Sequence, residues 1–258
     1  MNATDHPTTD HPEEPPQQPL RQVVFATTHW TVVLTAGGSG TTCASVALEK
    51  LCQTYWYPLY GYVRRSGHSP EDSQDLTQAF FARLLEGQWI GRADREKGKF
   101  RSFLLSALKC FLADEWDRAR AQKRGGGVAP LPLQLDTAET RYGHEPVDNT
   151  TPEQLYERRW ALALLEEVLR RLASEYELDG KAKFFAELNP CLVGDRAALP
   201  YAELAVKLGV SESAVKSTAH RMRLRYRELL REEIANTVNS PAEVDEELRQ
   251  LFAILGGR

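Results

Sequence analysis

Large apolar residues recur every three or four positions along much of this chain, the spacing that lines one side of a packed helix. Residues 25–36 and 44–55 read as helices. The aromatic run Tyr55-Trp56-Tyr57-Pro58-Leu59-Tyr60 is expected to break and restart the second, its density marking a packed core. Ser69-Pro70-Glu71-Asp72 supplies a cap, a proline in the first turn and an acid three places on. The helix it opens carries Leu76, Phe80, Phe81, Leu84 and Leu85 on a broad apolar face, with Asp72, Asp75, Gln78 and Arg83 off it. Phe100, Phe103, Leu104, Ala107, Leu108, Phe111 and Leu112 define the face of a further helix. Thr151-Pro152-Glu153-Gln154 caps a long helix with Leu155, Leu162, Leu165, Leu169, Leu172 and Tyr176 expected inward. Ser240-Pro241-Ala242-Glu243 repeats the capping pattern, and Val244, Leu248, Leu251, Phe252 and Leu255 stripe the helix after it. The expected fold class is all-α.

Residues 201–230 hold the sharpest local pattern. Leu204, Ala205 and Leu208 form the inner face of a short helix behind Pro200, and Gly209 stops it where a left-handed residue is favoured. Val210 plugs the corner, Ser211 caps a second helix, and Val215, Ala219 and Met222 face inward. Two helices cross closely over so tight a turn only if the residue at the fifth place is small and the ninth can turn. That is the helix-turn-helix pattern. The second helix is cationic, with Lys216, Arg221, Arg223, Arg225, Arg227 and Arg231, which favours a DNA contact.

The net charge of −4 argues against nucleic acid only until its distribution is considered. Lys97, Lys99, Arg101, Lys109, Arg118, Arg120, Lys123 and Arg124 crowd one stretch, whereas acids gather in the N-terminal tail and at residues 243–247. With 258 residues, 42% of them hydrophobic, the chain can build more than one small core. The expected division is a disordered tail at 1–22, a helical domain at 23–124, a flexible linker at 125–151, a second helical domain at 152–235 and an amphipathic extension at 236–258. No apolar run is long enough to span a bilayer and the start lacks a secretion core, so a cytoplasmic protein that does not engage the membrane is expected. Cys43, Cys52, Cys110 and Cys191 lack metal or disulfide spacing, and His6 and His11 sit in the polar tail. The glycine-rich residues 37–42 lack the lysine of a phosphate loop and read as a turn. No catalytic constellation, metal site or cofactor is expected.

The stretches GHSPEDSQDLTQAFFARLL, GKFRSFLLSALKCFLADEWDRAR and LPYAELAVKLGVSESAVKSTAHRMRLRYRELL together resemble a bacterial RNA polymerase sigma factor of the extracytoplasmic-function type. The resemblance covers most of residues 25–235. It implies two helical domains, the first gripping a coiled coil of the polymerase's largest subunit and opening the −10 promoter element. The second would dock on the flap of the other large subunit and read the −35 element. Carried over, Asp72, Asp75, Gln78 and Arg83 would contact polymerase. Lys97, Lys99, Arg101, Ser102 and Lys109 would contact the −10 strand near a loop at residues 92–99 that traps a flipped base. Phe100 and Phe103 read as core, and Trp116 is ambiguous. Ser211, Glu212, Ser213, Lys216, Ser217, His220 and Arg221 would meet the −35 duplex at the start of the second helix. An inhibitor protein of the anti-sigma kind is a further partner that such proteins have.

Thr218 and Ala219 depart from the residues frequent in that family, and residues 181–199 are longer and more broken than usual. The acidic linker either threads the polymerase's RNA path, as the resemblance implies, or is a plain tether. The extension after residue 240 is too apolar to float free. It either moderates DNA or polymerase binding or only buttresses the fold. The alternative function is a stand-alone helix-turn-helix regulator that binds an operator without polymerase; a heptad seam or ligand domain would favour it, and neither is visible.

Overall fold

The structure, a computed structural model, describes residues 42–85, 99–121, 135–143, 150–193, 199–238 and 240–256. The tail, the helix expected at 25–36, the glycine-rich turn up to residue 41, Lys97 with most of its loop, and most of the linker lie outside the described residues. What is described is all-helical, with no strand among those residues.

Helix α1 spans Thr42–Arg65 and does not break at its aromatic run, contrary to the expectation from sequence. Pro58 lies inside it. An internal proline removes a backbone hydrogen bond and costs about 3 kcal/mol. Burial offsets that cost here, since Tyr55, Leu59 and Tyr60 are fully buried on either side of the proline. Gly67, at φ 99°, turns the chain after α1. Ser69 then caps α2 (Pro70–Leu85), its hydroxyl accepting from the Asp72 amide at 3.1 Å. Phe80, Phe81 and Leu84 enter the core as the spacing predicts, joined by the small polar Ser73 and Thr77. Helix α3 (Phe100–Ala121) buries Phe100, Leu104, Ala107, Leu108 and Phe111. A short helix, α4 (Leu135–Gly143), lies within the segment expected to be a flexible linker. It is held to α1 by Glu139, which accepts from the Tyr60 hydroxyl at 2.6 Å and from two Arg64 nitrogens at 2.8 and 3.0 Å.

The long helix α5 (Pro152–Leu178) is the axis of the structure; at 1.5 Å per residue its 27 residues reach about 40 Å. Its capping box forms as expected, with Thr151 Oγ1 accepting from the Gln154 amide and Gln154 Oε1 accepting from the Thr151 amide. Its buried face agrees with the face expected from sequence at Leu155 and Leu172 and departs from it elsewhere. Tyr156, Trp160, Leu164, Val168 and Leu172, each one turn apart, are buried, whereas Leu162, Leu165 and Leu169 are half-buried. The rotation follows from what α5 meets. It lies along α1, and its aromatic edge fits between α1 and α3. Trp160 Nε1 donates to the Tyr55 hydroxyl at 3.3 Å, and the Tyr156 hydroxyl donates to the Arg101 carbonyl at 2.9 Å. Burial pushes both phenols well above their ordinary pKa, so each stays protonated, Tyr55 as acceptor and Tyr156 as donor in these bonds. The domain boundary expected from sequence falls just before this helix; in the structure the helix shares its core with Tyr55 and Phe100, whose rings meet edge-on at 5.4 Å.

Helices α6 (Ala182–Val193), α7 (Tyr201–Leu208) and α8 (Glu212–Ala235) follow, with α6 and α8 packed on α5 and α7 packed on α8. Arg171 of α5 reaches Glu232 and the buried Glu233 of α8 at 2.7 and 3.0 Å. After α8, the Thr237 carbonyl accepts from the Phe100 amide at 3.2 Å, tying the start of α3 to the end of α8. The capping box expected at Ser240 does not form. Residues Pro241–Glu243 make a 3-10 turn in which the Glu243 amide bonds the Ser240 carbonyl, and the Ser240 hydroxyl donates to the Glu243 carboxylate. Helix α9 (Val244–Leu255) packs on α5 and α8 through Val244 and Leu251, whereas Phe252, expected inward, is 60% exposed.

Trp160→Ala should lower unfolding free energy by about 3–5 kcal/mol, the range for emptying a buried aromatic site. Urea denaturation followed by circular dichroism measures this, and a change under about 1 kcal/mol would contradict the packing described.

Candidate nucleic-acid interface

The local chemistry of residues 200–222 builds a sharply turned pair of helices. Gly209 ends α7 in the left-handed region at φ 69°, its amide bonding the Ala205 and Val206 carbonyls. The Val210 amide bonds the Ala205 carbonyl at 3.1 Å, closing the turn. Ser211, extended at φ −72° and ψ 153°, caps α8 by accepting from the Ala214 amide. Val215, Ala219 and Met222 then point into the core with Leu204 and Ala205. That placement leaves the other side of the first α8 turns to solvent. Ser211, Glu212, Ser213, Lys216, Ser217, His220 and Arg221, the residues singled out from sequence, are all exposed there. The amides of a helix's first turn have no carbonyl one turn back within the helix, so this end also favours an anion.

The structure sorts the basic residues of α8 into two groups. Arg223 donates to the Tyr201 hydroxyl at 2.8 Å and the Cys191 carbonyl at 3.3 Å, which fixes α6 and α7 to α8. Arg225 holds Glu175 of α5 on two bonds of 2.7 and 2.9 Å, and Arg231 pairs with Asp245 of α9 at 2.6 Å. These three are structural ties, a division that the sequence does not signal. Lys216, Arg221 and Arg227 stay on the exposed surface, with Lys216 bridged to Glu212 one turn back. Arg221 also stands on the rim of an open groove shared with Tyr176, Asp179 and Phe184.

A second group of predicted residues lies at the start of α3, in a different state. Ser102 is exposed. Lys109 is half-exposed and bridged to Glu153 of α5 at 2.7 Å. Lys99 is half-buried and Arg101 is enclosed. Arg101 is 5% exposed, with Nε on Glu157 at 2.7 Å, Nη2 on Gln250 at 3.1 Å, Nη1 paired with Glu247, and its plane 4.3 Å from the Trp160 ring centroid. Lys99 pairs with Glu247 at 2.5 Å and also donates to Gln250. Burial, and secondarily the neighbouring guanidinium, pull the Lys99 ammonium below its ordinary pKa. The centre of the cluster is Glu247, whose side chain is completely buried. From sequence the pair Glu246-Glu247 is expected on a polar face; Glu246 is exposed, but Glu247 is buried, because the helix turns its apolar stripe, with Glu247 inside it, toward Lys99 and Arg101. The available signal was its position, three residues after Val244 and four before Leu251, which places a carboxylate inside the apolar stripe.

On α2, Asp72 and Asp75 are exposed one turn apart. Gln78 is half-buried, both atoms of its amide enclosed without a hydrogen-bond partner among the described residues. Arg83 turns toward α3, 3.3 Å from Glu115 and stacked over Phe111. Of the four predicted contacts, Asp72 and Asp75 are thus exposed and Gln78 and Arg83 partly covered. Trp116 stands 59% exposed on α3. Among the described residues no group of three His, Cys, Asp or Glu side chains could hold a metal ion, and no helix is long and apolar enough to cross a membrane. Compared with known proteins, the chain matches no family model, no curated protein and no solved structure.

The Arg64, Lys109 and Arg225 partners hold Glu139, Glu153 and Glu175 below the ordinary carboxylate pKa. Below 4.5, the unfolded chain therefore binds more protons at these sites than the folded one does. Their stabilisation is present above that pH and disappears as pH falls through the depressed folded values. Thermal melts across the acid range should show this decline, and Arg225→Gln should flatten the part due to Glu175. An unchanged acid slope in that variant would contradict the assignment.

Proposed function

We propose that this protein is a bacterial RNA polymerase sigma factor of the extracytoplasmic-function type, acting in the cytoplasm. In this reading α7 and α8 form a helix-turn-helix that enters the major groove of the −35 element. The observation that carries the reading is the exposed stripe of Ser211, Glu212, Ser213, Lys216, Ser217, His220 and Arg221 on a capped helix whose opposite side is locked into the core. Its short polar side chains and two cations suit base edges and phosphates, and the remaining first-turn amides beside the Ser211 cap suit a phosphate. Asp72 and Asp75, exposed on α2, are the handle for the coiled coil of the largest polymerase subunit, with Gln78 and Arg83 beside them. The −35 domain would dock on the flap of the other large subunit. Lys97, Lys99, Arg101, Ser102 and Lys109 are the proposed contacts to the −10 strand during opening. The protein works as a binding factor and supplies no catalytic group; the chemistry belongs to the polymerase.

Co-purification with core polymerase followed by run-off transcription on genomic templates tests the reading, with promoter-dependent starts expected. Arg221→Ala should weaken −35 duplex binding by about 1–3 kcal/mol. For about four to six phosphate contacts, log affinity should fall with log salt at roughly −0.9 per contact. Asp75→Ala should reduce polymerase association and leave duplex binding intact. Absence of both association and transcripts would overturn the proposal.

A further inference from the structure

Resting on that promoter-binding role, we infer that α9 and the facing edge of α5 form an intramolecular clasp. It sets carboxylates where −10 phosphates would sit, so Lys99 and Arg101 reach single-stranded DNA only after α9 leaves.

The bonding at Arg101 leaves no donor edge toward solvent. Nε bonds Glu157 and Nη2 bonds Gln250, Nη1 forms an ion pair with the buried Glu247, and the guanidinium face lies on Trp160. Lys99 is drawn into the same group by Glu247 and Gln250. Two of these acceptors, Glu247 and Gln250, lie on α9, and Glu157 lies on α5. A strand's phosphates would present anionic oxygens to the same two cations. Exchange of carboxylate for phosphate therefore keeps each cation paired, and the closed and DNA-bound arrangements compete for one set of donors.

Glu247 is a poor choice for a helix that only buttresses the fold. It occupies the apolar stripe between Val244 and Leu251 and is fully buried, a position where an apolar residue would pack without desolvating a charge. Its presence is explained by the cations it covers. The clasp is also small enough to open. Helix α9 has twelve residues, of which Val244 and Leu251 are the buried apolar ones; Leu248, Ile254 and Leu255 are only partly buried against the core, and the Arg231–Asp245 pair that attaches it further is exposed. Short elements with few buried apolar residues lie at the low end of local stability. The enclosed Arg101 thus belongs to a closed state of the proposed −10 surface.

The test uses the full chain and a fluorescent single-stranded oligonucleotide of mixed sequence, with affinity read by anisotropy over a salt series. Two variants open the clasp at different points. Glu247→Gln removes the buried charge, and Asp245→Arg repels Arg231 from an exposed position that does not endanger folding. Amide hydrogen exchange over residues 244–255 reports release of α9 independently of DNA. Both variants should bind the oligonucleotide about tenfold more tightly than wild type, the gain expected when a minor competent state becomes the major one. Two freed contacts should steepen the salt slope by about 1.4. Adding Lys99→Ala to Glu247→Gln should remove much of the gain. Wild-type affinity in both variants overturns the inference and leaves the DNA-binding reading standing, whether or not α9 exchanges faster. Absence of binding in every protein, with α9 released, overturns both.

Discussion

The structure depends on one buried edge, the side of α5 that presents Tyr156 and Trp160 to α1 and α3. Two large rings are inserted there with their polar atoms satisfied, the indole by the Tyr55 hydroxyl and the Tyr156 phenol by the Arg101 carbonyl. A buried donor left without a partner costs free energy comparable to the bond it would have made, so these bonds fix the depth and rotation of the helix as well as its presence. The same Trp160 face supports the Arg101 guanidinium, which links the core directly to the charged cluster at the start of α3. Position of the surface and position of the core are set by the same residues.

Charge in this chain is organised by partner rather than by sign. Of the cationic residues on α8, some bind carboxylates or carbonyls of neighbouring helices and others face outward, although their spacing along the sequence gives no hint of the division. Arg223 and Arg225 are anchors because α6, α7 and α5 supply acceptors within reach. Lys216 and Arg221 lie one or two turns nearer the helix start, where their bonded neighbours belong to α8 itself. A net negative protein can still expose cations locally, because its charges are unevenly distributed along the chain.

How much of this was legible beforehand varied with the range of the interaction. The turn from α7 to α8 was readable residue by residue, because Gly209, Ser211 and the small Ala205 act on backbone atoms within a few positions. The caps at Ser69 and Thr151 were readable for the same reason. The continuity of α1 through Pro58 was not, since the local rule against an internal proline is overridden by burial of Tyr55, Leu59 and Tyr60 against helices far along the chain. The inward face of α5 was legible at Leu155 and Leu172 but not at Tyr156 and Trp160, which the neighbouring helices select. The bond from Lys99 to Gln250 spans 151 residues and had no local signature at all.

The pairing of α1 with α5 also bears on how the protein is made. Residues of α1, α2 and α3 leave the ribosome with Tyr55 and Phe100 uncovered, because the helix that shields them is synthesised later. Contacts so distant along the chain slow folding and leave sticky aromatic surface open in the interval. Helices α1 to α3 thus leave part of their aromatic core open until Trp160 emerges, and a fragment ending before α5 should be prone to aggregate.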